Sequence, residues 1–130
     1  DGDAGILMYR GYPIEQLAQN SSFLEVAYLL MQGELPTATE FKNFEHEVTH
    51  HTMMRESLRQ FLNGFQYDAH PMAMLCAVVG SLAAFYHDSL DIEDPKQRHL
   101  AAVRLIAKMP TIAAACYRYS IGWPTRFPRN

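Results

Sequence analysis

The sequence predicts an all-α fold. Helix-capping signals recur along the chain, apolar residues recur three or four positions apart between them, and alternating strand patterns are nearly absent. A short extended segment is predicted only near residues 5–9. We expect residues 1–130 to form a single partial domain that is truncated at both ends.

The first two helices are predicted from capping boxes, in which a Ser or Thr and a Glu three residues later satisfy each other's free backbone amides. Ser22 and Glu25 form one such pair, which predicts a helix over residues 23–32 that Gly33 ends. Thr37 and Glu40 form the next pair, and its helix extends to about residue 49. Its predicted buried face carries Phe41, Phe44 and Val48.

The later helices are marked by prolines and apolar spacing. A short amphipathic helix is predicted over residues 58–64. The next helix begins at Pro71, with Asp68 as a nearby anionic cap, and a further one begins at Asp94-Pro95. Because proline removes a backbone donor, we expect a kink, or a stop and restart, at Pro110.

The helix that begins at Pro71 has no polar side. From Met72 to Phe85 it carries no charged residue, so apolar groups face every direction. Such a helix is expected to be buried all round, and a domain this small rarely encloses a whole helix. A second subunit or a further domain is therefore predicted to cover part of it.

Composition excludes several classes of partner. The formal charge of -3 and a pI near 6.0 give no basic footprint for nucleic acid or for an anionic membrane. The longest apolar run, residues 71–86, is shorter than the roughly 20 residues that cross a bilayer. Cys76 and Cys116 lie in apolar helical patterns, which favours buried free thiols in a reducing compartment. We expect a cytoplasmic protein.

One motif matches a metal site. His46-Glu-Val-Thr-His50 has the H-E-x-x-H pattern, in which two histidines one turn apart share a zinc ion and the glutamate activates water. Catalytic zinc also needs a third protein ligand and a shielded helix face, yet these three side chains project away from the buried face of their helix. We therefore predict a solvated helix end and no metal site.

A pair of cations forms a second candidate. Arg104 and Lys108 are four residues apart, so they lie on one face of a helix. Spacing alone favours a solvated or interface face, whereas an anion site for a diphosphate is the sharper hypothesis.

Strings of specific residues, rather than periodicity, carry a family resemblance. The longest is residues 68–90 (DAHPMAMLCAVVGSLAAFYHDSL). The others are residues 5–14 (GILMYRGYPI), 33–37 (GELPT), 108–117 (KMPTIAAACY) and 119–122 (YSIG). They resemble citrate synthase, most closely the bacterial (type II) enzyme, and the chain is similar to an internal fragment of its amino-proximal part, within the large helical domain.

This resemblance implies an acyltransferase. Citrate synthases condense acetyl-CoA with oxaloacetate and water to give citrate and CoA, with no metal and no bound cofactor. The family's histidine motifs do not occur in these residues, so none of the chain's histidines inherits a catalytic role. Catalytic residues are expected beyond Asn130, and the fragment alone is expected to be inactive.

The resemblance also implies self-association and regulation. The helices near residues 71–86 and 101–117 resemble the pair that forms much of the family's dimer interface, and many bacterial members assemble into hexamers. Many are also inhibited by NADH at a separate allosteric site. By resemblance, that site would use His51, Thr52, Met53, Tyr86, Arg104, Lys108 and Asn130. His50 stands where NADH-sensitive members commonly have arginine, and a neutral imidazole gives phosphate less charge.

Two alternative functions remain open. One is 2-methylcitrate synthase, which shares the fold and uses propionyl-CoA. The other is a non-catalytic helical interaction module, whose exposed apolar helix would serve assembly with other proteins.

Overall fold

A computed structural model describes residues 1–122 as a succession of helices after a short hairpin. The strands are β1 (Met8–Tyr9) and β2 (Tyr12–Pro13). The helices of the described chain are α1 (Ile14–Asn20), α2 (Phe23–Gln32), α3 (Ala38–His50), α4 (Glu56–Leu62), α5 (Pro71–Phe85) and α6 (Pro95–Ser120). The predicted all-α class is confirmed.

The hairpin refines the extended segment that the sequence predicts. β1 begins at Met8 and pairs antiparallel with β2, so that Tyr9 lies opposite Tyr12. Between them, Arg10 and Gly11 have φ values of 50° and 89°, and positive φ at both positions is typical of a tight hairpin turn. Neither β2 nor α1 was expected, because Arg-Gly is a weaker turn signal than Asn-Gly.

The chain divides into two compact units, Asp1–Glu47 and a second that begins at Val48. Both predicted capping boxes are present. The Ser22 and Glu25 pair exchanges two hydrogen bonds of 3.3 Å, and Gly33 ends α2 with a left-handed φ of 89°. At the start of α3, the amide of Thr37 donates to Glu40 Oε1 and the amide of Glu40 donates to Thr37 Oγ1.

The first unit has a small core and one close polar pair. Leu17, Leu29 and Phe44 are buried. The ring of Tyr28 meets Phe44 edge to face, with centroids 5.5 Å apart, and its hydroxyl donates to Glu40 Oε2 at 2.6 Å. The capping residue Glu40 thereby also contacts α2.

The second unit contains the main hydrophobic core. α5 packs against α4 and α6. The core cluster consists of Met54, Leu58, Leu62, Met74, Val78, Ile112, Ala115 and Cys116. Burial raises the pKa of the Cys116 thiol, as expected for a cysteine among apolar side chains.

α5 begins as predicted at Pro71, but its cap differs from the prediction. The N-cap residue is His70, whose Nδ1 accepts the amide of Met72 at 3.1 Å. Asp68 is not the cap because it lies two residues before this position, whereas an N-cap side chain serves amides two or three residues ahead.

α6 runs without a stop from Pro95 to Ser120, with Pro110 inside it. Of the two alternatives expected at Pro110, the stop and restart is therefore wrong, and the kink stays a prediction. Buried residues on both sides of the proline, among them Ala107 and Ile112, fix the helix by packing while one backbone bond is lost. By length and composition α6 could cross a membrane, but its side chains at Val103 and Ile112 are fully enclosed, which is typical of a core helix.

Among residues 1–122, α5 is buried on one side and exposed on the other. Met74 and Val78 are completely enclosed, whereas the opposite face is exposed. This apolar face of α5 consists of Met72, Ala73, Cys76, Gly80, Ala83 and Ala84. The expected burial all round is not met by these residues alone, and Cys76 is exposed rather than buried.

Candidate functional site

Tyr86 is the centre of the candidate site. It caps the carboxyl end of α5 and is 9% exposed. The Cζ atoms of Arg55 and Arg104 each lie 4.4 Å from the centre of its ring, and Lys108 Nζ lies 5.2 Å from it. Cations within about 6 Å of a tyrosine face are attracted by its quadrupole. The ring therefore gathers three positive side chains.

Lys108 is buried and already bound to the backbone. Its Nζ donates to the carbonyl of His51 at 2.7 Å and to that of Met53 at 2.6 Å. An ammonium has three donors, so one remains after these bonds. Lys108 therefore has a structural role, and only one of its three N–H donors is left to bind an external anion.

Arg104 is engaged by a carboxylate. Its two Nη atoms bond the two carboxylate oxygens of Asp88, and the Nη2 bond to Oδ2 measures 3.1 Å. Nη1 also donates to Ser89 Oγ at 3.1 Å. The Nε atom is buried without a hydrogen-bond partner among residues 1–122. Arg104 is therefore bound through its outer nitrogens only.

Arg55 and Asp88 complete the arrangement and were missed by the sequence analysis. The hydrogen bond from Arg104 lowers the pKa of the Asp88 carboxyl, and the positive charge of Arg55 acts in the same direction. No spacing rule connects Arg55 with Tyr86, since the two meet only in the folded chain. We call Arg55, Tyr86, Asp88, Arg104 and Lys108 the Tyr86 cluster.

The structure brings most of the predicted effector residues to this place. His51 and Met53 contribute backbone carbonyls to Lys108. The hydroxyl of Thr52 donates a hydrogen bond to the carbonyl of Thr49 at 3.0 Å. Asn130 lies outside the described residues.

A cavity of about 200 Å³ adjoins the Tyr86 cluster. Apolar side chains of α5 and α6 form most of its wall, among them Leu82 and Leu105. Tyr86, Arg104 and Lys108 also line it. The site therefore combines an apolar wall with concentrated positive charge.

The H-E-x-x-H residues lie on the last turns of α3, between His46 and His50. Within the described range 1–122, no group of three or more His, Cys, Asp or Glu side chains is placed to hold a metal ion. The absence of a metal in the protein stays a prediction from the sequence.

Comparison with known proteins decides the family. A family model described as "Citrate synthase, C-terminal domain" matches residues 1–130. The chain belongs to the citrate synthase family. The crystal structure of citrate synthase from Pyrobaculum aerophilum is 34% identical and superposes with a TM-score of 0.85, over 97% of this chain and 33% of that one.

A second citrate synthase has the same fold. It is the enzyme of the thermophilic archaeon Thermoplasma acidophilum, in a ternary complex with carboxymethyl coenzyme A and oxaloacetate. Its identity is 24% and its TM-score 0.86, over 98% of this chain and 33% of that one. The chain thus spans about a third of the length of both citrate synthases.

Proposed function

We propose that this chain is part of a citrate synthase that condenses acetyl-CoA with oxaloacetate and water to give citrate and CoA. The family match over residues 1–130 supports this activity. This reaction needs neither a metal nor a bound redox cofactor, because its steps are enolisation of the thioester, addition to a ketone and hydrolysis of the thioester. This part of the chain supplies scaffold, and the catalytic residues lie beyond Asn130.

The test is CoA release by the full-length protein. Thiol should appear only when acetyl-CoA and oxaloacetate are both present, and it should persist after treatment with a chelator. Faster turnover with propionyl-CoA would identify a 2-methylcitrate synthase instead. No turnover with either thioester would favour the interaction module. Resemblance to the bacterial branch supports citrate, and the free thiols of Cys76 and Cys116 support a cytoplasmic location.

We further propose that the apolar face of α5 is a subunit surface of a homodimer, which can assemble further into a hexamer. The spacing of three and four residues places its members on one side of the helix. Gly80 supports this surface, because a Cβ at that position would meet no atom of residues 1–122 within 4 Å. A helix-interior glycine costs about 1 kcal/mol relative to alanine, and a closely approaching partner helix would explain it. The exposed residues Leu105, Ala113 and Tyr117 extend this surface onto α6.

Substitution of Gly80 tests the interface. Gly80→Leu in the full-length protein should shift sedimentation toward monomer, since the new side chain clashes with the partner. Lys42→Leu, which adds the same side chain at an exposed position of α3, should leave the assembly unchanged. An unchanged dimer in Gly80→Leu would contradict the proposed surface.

A dinucleotide effector site at the Tyr86 cluster is the second proposal. It is favoured by the convergence of Arg55, Arg104 and Lys108 on one tyrosine ring beside a cavity. The guanidinium groups of Arg55 and Arg104 suit the two phosphates of a dinucleotide. His51, Thr52, Met53 and Asn130 belong to the same proposal, with NADH as the inhibitor.

NADH binding to full-length variants tests the effector site. Arg104→Ala should weaken binding roughly tenfold or more, because a charge-assisted bond to phosphate is lost. The matched control is Lys96→Ala, an exposed cation of α6 about 12 Å from position 104 along the helix axis. Equal affinity in both variants would defeat the assignment of Arg104 to the phosphates.

A further inference from the structure

The anion position at Arg104 is filled by a side chain of the same chain. Asp88 uses both carboxylate oxygens to bond the two outer nitrogens of Arg104. These are the donors that a phosphate would use, because a guanidinium presents them as a planar fork. A diphosphate and the Asp88 carboxylate therefore compete for the same donors.

Arg104 and Asp88 differ in solvent exposure and in the element that carries them. The side chain of Arg104 is 12% exposed, whereas that of Asp88 is 64% exposed. Arg104 belongs to α6, and Asp88 lies on the segment between α5 and α6. Because the Asp88 side of this ion pair faces solvent and lies outside α6, water or another anion can replace its carboxylate without disturbing the helix.

The surroundings favour an incoming anion with more than one charge. Arg55 lies against the same tyrosine ring as Arg104, and its positive charge acts on Asp88. Lys108 is the third cation near the ring. A ligand that displaces Asp88 bonds Arg104 in the electrostatic field of Arg55 and Lys108, and this field attracts a diphosphate more strongly than a single carboxylate.

We infer that Asp88 is a built-in competitor that sets the affinity and charge selectivity of the Tyr86 cluster. It occupies Arg104 when no ligand is bound, rejects monoanions and yields to a diphosphate. This inference rests on the proposed effector site and adds a specificity-determining residue to it. The diphosphate is the shared chemistry, whether it belongs to a dinucleotide or is free in solution.

Calorimetric titration of the full-length Asp88→Asn variant tests the inference, with inorganic pyrophosphate and NADH as separate probes. Both should bind about three- to tenfold more tightly than to the unaltered protein, because one competing charge is removed. Acetate, a monoanion, should become detectable as a competitor of pyrophosphate only in this variant. Tightening for NADH but not for pyrophosphate would show that the competition does not concern the diphosphate, and would overturn the inference.

Glu93→Gln is the matched control. It removes the same charge from the same exposed segment, and Glu93 makes no bond to Arg104. Equal tightening in both variants would show a general charge effect and overturn the inference. When Arg104→Ala is added to each protein, the difference in affinity between the unaltered protein and the Asp88→Asn variant should disappear, since the competed donor is gone.

The outcomes separate this inference from the effector site itself. If Arg104→Ala weakens NADH binding while Asp88→Asn leaves it unchanged, the effector site stands and the inference is wrong. If neither the unaltered protein nor the Asp88→Asn variant binds NADH or pyrophosphate, the effector site and the inference are both wrong. Asp88→Ala, which cannot hydrogen-bond Arg104 at all, should tighten binding at least as much as Asp88→Asn.

Discussion

The two compact units differ in the sequence separation of their polar contacts. In Asp1–Glu47, each capping box joins residues three apart, and the longest side-chain contact, from Arg10 to the carbonyl of Leu30, spans 20 residues. In the second unit, Lys108 reaches carbonyls 57 and 55 residues away, and Tyr119 donates to the carbonyl of Phe65, 54 residues away. The longest polar contacts of the second unit therefore join residues much farther apart in sequence than those of the first.

The comparison predicts that the largest losses of stability come from the core of the second unit. Leu58 is completely buried there, and Leu58→Ala should lower the free energy of unfolding by about 2–5 kcal/mol, since a cavity replaces packed side chain. Leu90→Ala is the control, because Leu90 is 51% exposed, and should change it by less than about 1 kcal/mol. Urea unfolding of the full-length protein measures both.

Lys108 tests the long-range polar contacts directly. Lys108→Met should lower the free energy of unfolding by about 2–4 kcal/mol, because the carbonyls of His51 and Met53 lose the buried ammonium that donates to them. Lys96→Met, at an exposed position of the same helix, should be nearly neutral. A neutral Lys108→Met would remove the distinction between the units.

The local contacts of the first unit should cost less when they are broken. Ser22→Ala removes one half of the capping box at α2 and should destabilise by about 1 kcal/mol. Ser21→Ala, one residue earlier, leaves that box intact and serves as the control. Thermal unfolding compares them, and a loss as large as that for Leu58→Ala would contradict the predicted order.

The smallest effect is a change in the pH dependence of stability. The Tyr28 hydroxyl lowers the pKa of Glu40 from its ordinary value of 4.5, and Glu40 raises the pKa of Tyr28. The stability contributed by Glu40 is complete above pH 4.5 and is lost as the pH falls through its lowered pKa. Tyr28→Phe should therefore destabilise at pH 7 and matter less in acid. An equal effect at pH 7 and pH 3 would contradict this linkage.

The same contrast explains what the sequence could predict. The capping boxes, Pro71 and Asp94-Pro95 are short motifs, so α2, α3, α5 and α6 could be placed from them. Their chemistry acts within one turn, which makes it visible in a string of letters. The hairpin and α1 lacked such a motif and were missed.

The candidate site could be predicted only in part. Arg104 and Lys108 share a helix face, so helical spacing paired them. Arg55 and Asp88 reach Tyr86 and Arg104 from other elements, and their contacts depend on how α5 and α6 pack. Sequence spacing alone favoured a solvated or interface face for Lys108, because nothing local shows that backbone carbonyls bury and bind its ammonium group.

The burial of Lys108 has a consequence for local unfolding. When residues 51–53 separate from α6, the buried ammonium of Lys108 loses both of its carbonyl acceptors. Segments tied in this way open together, so amide hydrogens after α3 should exchange with solvent as slowly as those in the middle of α6. An irregular connection that resembles a loop would thus share the kinetic protection of the longest helix described.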